Sequence, residues 1–230
     1  MVFGPNIGIS YPYTTPGALS RAPTLASNPT DFRLLDSNGD GVINSFDDPY
    51  MPYYPGDLYV DWVAISIYFY PDRITGFNVL PPLTYFQDML TSSGPSMAIS
   101  DNTKNGDPLR NFYRRFVIEH NKPMMIPETS APYTPSITNG TATNAQVKER
   151  WYEQIFSQNN TVNNFPRLKA VVQFEEQKSD GGGAPVQDWR VLADPSVLSS
   201  FLGVLNRVRP AISFATDFTV DCAGNWIPKK

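Results

Sequence analysis

Cysteine is almost missing from this chain: Cys222 is the only one in 230 residues. No intrachain disulfide can form, an absence that fits a reducing compartment and an oxidising one equally. Histidine is as scarce, with His120 alone. No stretch is long and apolar enough to span a membrane. The N-terminus has no basic segment leading into an apolar one, so no signal peptide is visible. Long basic runs are also missing, and the net charge is -4 with a pI of about 5.0. That balance argues against nucleic acid as a partner.

What is present is globular. Hydrophobic residues make up 41% and charged residues 17%, the proportions of a chain with a core. A length of 230 residues suffices for one sizeable domain. Aromatics reach 13%, providing flat apolar faces to bury or to offer to a ligand. The 22 prolines fall mostly between the periodic segments and predict shaped loops.

The most informative stretch is Lys122-Pro123-Met124-Met125-Ile126-Pro127-Glu128-Thr129-Ser130. Its short apolar run suits a strand buried on both faces. A carboxylate is costly inside such a strand but tolerable at its C-terminal tip. Three other runs read as strands: one at 1–6, one across 57–68 and one at 170–174. Helices are expected near 83–90, from an Asp107-Pro108 start to His120, over 143–158, and from an Asp194-Pro195 start onward. In the second of these, Arg110, Arg114, Arg115 and Glu119 are expected to face outward, and His120 to decorate the C-terminus. In the last, Val197, Leu198, Phe201, Leu202, Leu205 and Val208 are expected inward. Strands alternating with helices imply a parallel sheet. Four strands are half of what an eight-stranded α/β barrel needs. The expected fold is therefore α/β, a partial (β/α)8 barrel comprising about strands 5–8 with their helices. The barrel part spans 1–210, and 211–230 is a tail. A strand at the first residue leads us to expect further chain upstream.

The loop-rich segment 7–56 contains Asp36-Ser37-Asn38-Gly39-Asp40-Gly41-Val42-Ile43-Asn44-Ser45-Phe46-Asp47. Oxygen-bearing side chains fall at positions 1, 3, 5 and 9 of a twelve-residue calcium loop, with Gly at position 6 for the sharp turn. Asp36, Asn38, Asp40 and Asp47 with the Val42 carbonyl are the expected ligands of a structural calcium. Asp47 stands where a Glu is usual, and flanking amphipathic helices are not evident. Asn139-Gly140-Thr141 and Asn159-Asn160-Thr161 fit the N-glycosylation pattern.

Several of these stretches act together as a family signature. The Lys122–Ser130 run, Tyr54-Pro55-Gly56-Asp57 leading to Val60-Asp61-Trp62-Val63, and Asp188-Trp189-Arg190 after a Phe-Glu-containing strand resemble the C-terminal half of fungal glycoside hydrolases of family 26, the β-mannanase-like group. Met1-Val2-Phe3-Gly4-Pro5-Asn6 resembles that family's fifth barrel strand. The resemblance implies retaining hydrolysis of a β-linked polysaccharide, most plausibly β-mannan, with no catalytic cofactor, and a secreted protein. It puts Glu128 in the place of the nucleophile. The family's acid/base Glu ends a fourth strand that has no counterpart here, so the isolated chain is expected to be inactive.

Retaining chemistry needs a second carboxyl about 5–5.5 Å from the first. Glu175 and Glu176 end the next strand and could reach the same mouth, but neither is assigned the acid/base role. Trp62, Tyr68, Tyr70 and Trp189, with Glu175 lining the cleft, are the candidates for sugar contact, Tyr68 being the first candidate to hydrogen-bond Glu128. As aromatics they equally suit core or wall. Two rival readings stand beside the hydrolase: a noncatalytic carbohydrate-binding relative and a calcium-dependent interaction module. Open barrel edges would favour self-association.

Overall fold

A computed structural model of the chain describes residues 1–4, 22–44, 46–70, 76–93, 108–157, 159–179, 183–211, 218–220 and 226–228. The fold is α/β, with four parallel strands in one sheet: β1 (Val2–Phe3), β2 (Trp62–Ala64), β3 (Met124–Thr129) and β4 (Leu168–Gln173). Their order in the sheet is their order in the chain, and every pairing is parallel. The expected strands and their neighbours are thus found. Parallel neighbours require a crossover between them. Between β2 and β3 it carries α2 (Tyr85–Thr91) and a π-helix (Tyr113–Glu119), and between β3 and β4 it carries α3 (Asn144–Phe156) and a π-helical segment (Asn159–Asn164). After β4 come a two-stranded ribbon, β5 (Gln177–Lys178) with β6 (Gln187–Asp188), and then α4 (Pro195–Val208).

The helix starts follow from their caps. Thr143 accepts from the backbone N–H of Gln146, and the Gln146 side chain accepts from the Thr143 N–H, closing a capping box at α3. Each bond satisfies an amide that has no partner inside the helix. Asp194 accepts from Ser196 and Val197 N–H at α4, with Pro195 at the first helical position. A short helix lies inside the segment read as loop, α1 (Pro29–Leu35), after β1. Its Asn28 cap accepts from Asp31 N–H. Asp107, expected to cap the helix before β3, is outside the described residues, as are Pro5, Asn6 and Cys222. The tail holds a hairpin, β7 (Phe218–Val220) with β8 (Trp226–Pro228).

One core packs the sheet against the helices. Val63, Ile65, Ile67 and Phe69 alternate along β2 and its extension, and meet Met124, Ile126, Phe116, Trp151 and Ile155. Two expectations about helix faces are corrected. Arg110 is fully buried, and Arg115 is largely buried because its guanidinium pairs with the Asp48 carboxylate and the Leu109 carbonyl. That pairing ties the loop before β2 to the π-helix, a tertiary demand invisible to helical periodicity. On α4, Leu202 faces out while Val204 takes the inward place.

Candidate functional site

Strict alternation along β3 would put Glu128 on the same face as Met124 and Ile126. Both are fully buried under the helices. The strand avoids burying the carboxylate through a bulge. Ile126 pairs with Val171, but Thr129 pairs with Gln173, so three steps on β3 match two on β4. The extra residue reverses the parity. Thr129 takes the helix side, where its hydroxyl accepts from Trp151 Nε1 at 3.0 Å and donates to the Ile67 carbonyl at 2.7 Å. Glu128 turns to the opposite side and lies half-buried at the strand tip. Bulges that re-aim a side chain are common beside active sites.

Tyr68 meets it there. On β2 the core face is taken by Val63, Ile65 and Ile67, so Tyr68 lies on the other face. Its hydroxyl donates to Glu128 Oε2 at 2.8 Å, as expected for the residue that holds this carboxylate. Backbone bonds from Ile67 N–H to the Glu128 carbonyl and from Phe69 N–H to the Ser130 carbonyl keep the two tips in register. Burial, and then the adjacent carboxylate, push the Tyr68 phenol well above its usual range. It stays protonated and remains a donor.

Around this pair the rings form a cluster. Trp189 meets Tyr68 edge-on at 5.3 Å, Tyr70 at 5.7 Å and Phe174 at 6.2 Å between centroids. Tyr68 also meets Tyr70 at 5.9 Å and Phe174 at 5.7 Å. The Lys178 ammonium lies 4.9 Å from the centre of the Phe174 ring. Phe174 was not singled out from the sequence. The signal for it was its place as the first residue beyond β4, at the same sheet end as Glu128.

Other candidates are placed differently. Trp62 opens β2, and Tyr68 lies six steps further along the extended chain, about 20 Å at about 3.3 Å per residue. The structure does not bring it to the site. Trp189 is 1 % exposed, which makes it a wall behind Tyr68 rather than an open platform. Its carbonyl accepts from Ser130 Oγ at 2.6 Å and Gln173 Nε2 at 2.9 Å. Glu175 accepts from the backbone N–H of Val191 and Leu192 at 2.7–3.0 Å. It organises the turn after Arg190 instead of standing free in the cleft. Glu176 is exposed.

The same segment is gripped from α3. Lys148 is 1 % exposed. Its ammonium donates to Asn144 Oδ1 at 2.7 Å and the Asp188 carbonyl at 2.9 Å. Burial brings its pKa down to about 8, partly opposed by the Asp188 and Glu175 carboxylates. Asp188 itself is held below its ordinary value: burial pushes it up, but the Arg190 guanidinium and backbone N–H outweigh that.

His120 ends the π-helix as expected and sits away from this cluster. Its Nδ1 is 2.9 Å from Asp57 Oδ1, which also accepts from Tyr54 OH at 2.6 Å.

In the Asp36 loop most oxygens serve the loop's own backbone. Asp36 Oδ2 accepts from Gly41 N–H, Asn38 Oδ1 from Asp40 N–H, and Asp40 Oδ1 from Val42 N–H. Asp47 accepts from Ser37, Asn38 and Asn44 N–H, and the Val42 carbonyl from Asn44 Nδ2. Gly41 has φ +85°, the conformation a Gly accepts without strain. Asp36 Oδ1 is buried and has no donor. Among the described residues no three His, Cys, Asp or Glu side chains are grouped to hold a metal.

No known protein-family model matches the chain, and no curated protein matches it.

Proposed function

We propose that this chain is part of a retaining β-glycan hydrolase, with β-mannan as the most plausible substrate and Glu128 as the nucleophile. The observation that carries the reading is Glu128 itself. A bulge turns it out of the core at a parallel strand's C-terminal tip, and a protonated phenol holds its Oε2. C-terminal strand tips are where α/β barrels place catalytic groups, and the sheet would be the strand 5–8 portion of such a barrel. In the reaction Glu128 attacks the anomeric carbon as an anion while a second carboxyl protonates the leaving oxygen, then activates water. Tyr68 keeps the attacking oxygen oriented. Because Glu175 is occupied by backbone amides, the acid/base is assigned to a strand outside these residues.

The test compares mannan hydrolysis by the fragment, by a complete barrel, and by that barrel carrying Glu128→Gln or Tyr68→Phe. The fragment and the Gln variant should release almost no reducing sugar. The Phe variant should lose about tenfold to a hundredfold, the worth of one hydrogen bond to a charged group. Full activity in the Gln variant would remove Glu128 from the mechanism.

The occupied Glu175 also favours a second reading, glycan binding without hydrolysis by the chain alone. Retention on a mannan column with no sugar release would match it.

The Asp36 loop is proposed as a structural calcium loop, supported by its spacing and by the unpartnered Asp36 Oδ1. Asp36, Asn38, Asp40 and Asp47 with the Val42 carbonyl would hold the ion. Calorimetric titration should show one site, lost in Asp36→Ala; a flat titration of folded protein rejects it.

A further inference from the structure

We propose that Asn139 is an N-glycan acceptor, and that the sugar stands on the rim of the face that carries Glu128. The inference rests on the reading of the chain as secreted, but not on the chemistry assigned to Glu128.

The placement comes from the loop joining β3 to α3. It leaves the same C-terminal end of β3 that Glu128 occupies. Asn139 and Thr141, the first and third residues of the acceptor triplet, are both exposed. Asn139 makes no side-chain hydrogen bond among the described residues. The loop around them is nonetheless held in place. Asn78, buried and at φ +53°, donates to the Thr134 and Ile137 carbonyls, each at 2.9 Å, and accepts from Thr134 N–H at 2.8 Å. Its own carbonyl accepts from Ala142 N–H at 3.0 Å. Gly140 is pressed against Asn78, so close that a Cβ there would lie 2.3 Å from the Asn78 Cβ. The backbone is thus pinned on both sides of Asn139, and the side chain between the pins is left to solvent. A branched sugar at that nitrogen displaces no contact of the fold.

The second triplet is placed otherwise. Asn159 lies in the π-helical segment Asn159–Asn164, and its Oδ1 accepts from Asn163 Nδ2 at 3.3 Å. The middle residue Asn160 is buried, with its Nδ2 on the Gln154 carbonyl at 2.5 Å. A transferase needs the triplet extended, so this one must first give up its helical bonds.

The donor is a lipid-pyrophosphate-linked oligosaccharide. The bond that forms joins Asn139 Nδ2 to the anomeric carbon of the sugar. The bond that breaks joins that carbon to the pyrophosphate oxygen. The lipid pyrophosphate leaves with the electron pair, and the amide gives up one proton; nothing is oxidised or reduced.

The experiment expresses the 230-residue chain behind a secretion leader in yeast. Medium and the lumenal pool are both analysed by intact mass and by peptide mapping, before and after a peptide N-glycosidase, the amidase that releases the glycan and leaves Asp in place of the glycosylated Asn. The expected result is a glycan on the Asn139 peptide. The corresponding mass should vanish in Asn139→Gln and persist in Asn159→Gln. Thr141→Ala, which leaves Asn139 in place and removes only the hydroxyl, should abolish it as well. An unmodified Asn139 in exported or lumenal protein, or a full mass shift remaining in both Asn139→Gln and Thr141→Ala, overturns the proposal. Mannan hydrolysis is a separate readout, so failure of one reading does not imply failure of the other.

Discussion

A buried lysine seldom has a neutral role, and Lys148 shows why. Its ammonium reaches two acceptors, but burial on every side favours the uncharged form and lowers its pKa from the ordinary 10.5 to about 8. Between these values the unfolded chain binds more protons than the folded one, so stability rises with pH across the window. The full rise is about 3 kcal/mol at about 1.4 kcal/mol per pKa unit. Above about pH 10 the tyrosines reverse the trend, because Tyr68 and Tyr152 resist ionisation when folded and ionise freely when unfolded. Denaturant titrations of wild type and Lys148→Met from pH 7 to 10 should therefore diverge, with wild type gaining relative to the variant. Parallel curves would mean that Lys148 stays charged in the fold. On the acid side the sign is the same, stability again rising with pH. Asp48 and Asp188 have depressed values, so what they contribute is lost as pH falls through those values.

At the scale of elements, β3 decides the site and the loop after it decides the rim. The bulge in β3 cannot be read from Ile126-Pro127-Glu128-Thr129, because a period of two is what sequence patterning supplies. The parity flips only because β4 pairs with both ends of the interval and Thr129 finds Trp151 and Ile67 on the helix side. The loop beyond depends on Gly140 for space rather than for a left-handed backbone. Gly140→Ala would put a methyl 2.3 Å from the Asn78 Cβ and 2.9 Å from its carbonyl oxygen. Relief requires moving Asn78, which carries three side-chain bonds. We expect a loss of about 1–3 kcal/mol, the usual range for overpacking, measured as a lower midpoint in urea. An unchanged midpoint would show the loop free to shift.

For the whole molecule the question is what covers the sheet's ends. β1 and β4 are the outer strands of the four-stranded sheet. Val2 and Val172 are exposed on them. Unpaired edges template association with other strands. The expected behaviour of the isolated 230 residues is concentration-dependent self-association, read by sedimentation velocity across a dilution series. A single monomeric boundary at every concentration contradicts it. The complete barrel proposed above would pair those edges and should stay monomeric in the same series.

Much of this architecture was legible beforehand because it rests on local signals. Asp194-Pro195 announces a helix start, because Asp194 satisfies free backbone donors and Pro195 dispenses with one. The apolar runs around Val63, Met124 and Val171 announce strands that a parallel sheet must bury. The Glu128–Tyr68 contact was also within reach, since both fall at strand ends that parallel order brings side by side. Tertiary structure alone decided the rest. It buried Arg110 and drew Arg115 to Asp48, gave Glu175 to the Val191 and Leu192 amides, sealed Trp189 behind Tyr68, and left Trp62 at the far end of its strand. For Arg115, Glu175 and Trp189 the outcome depends on a partner distant in the chain, and the energy of a desolvated charge or an unpaired amide is set by that partner, not by the residues on either side.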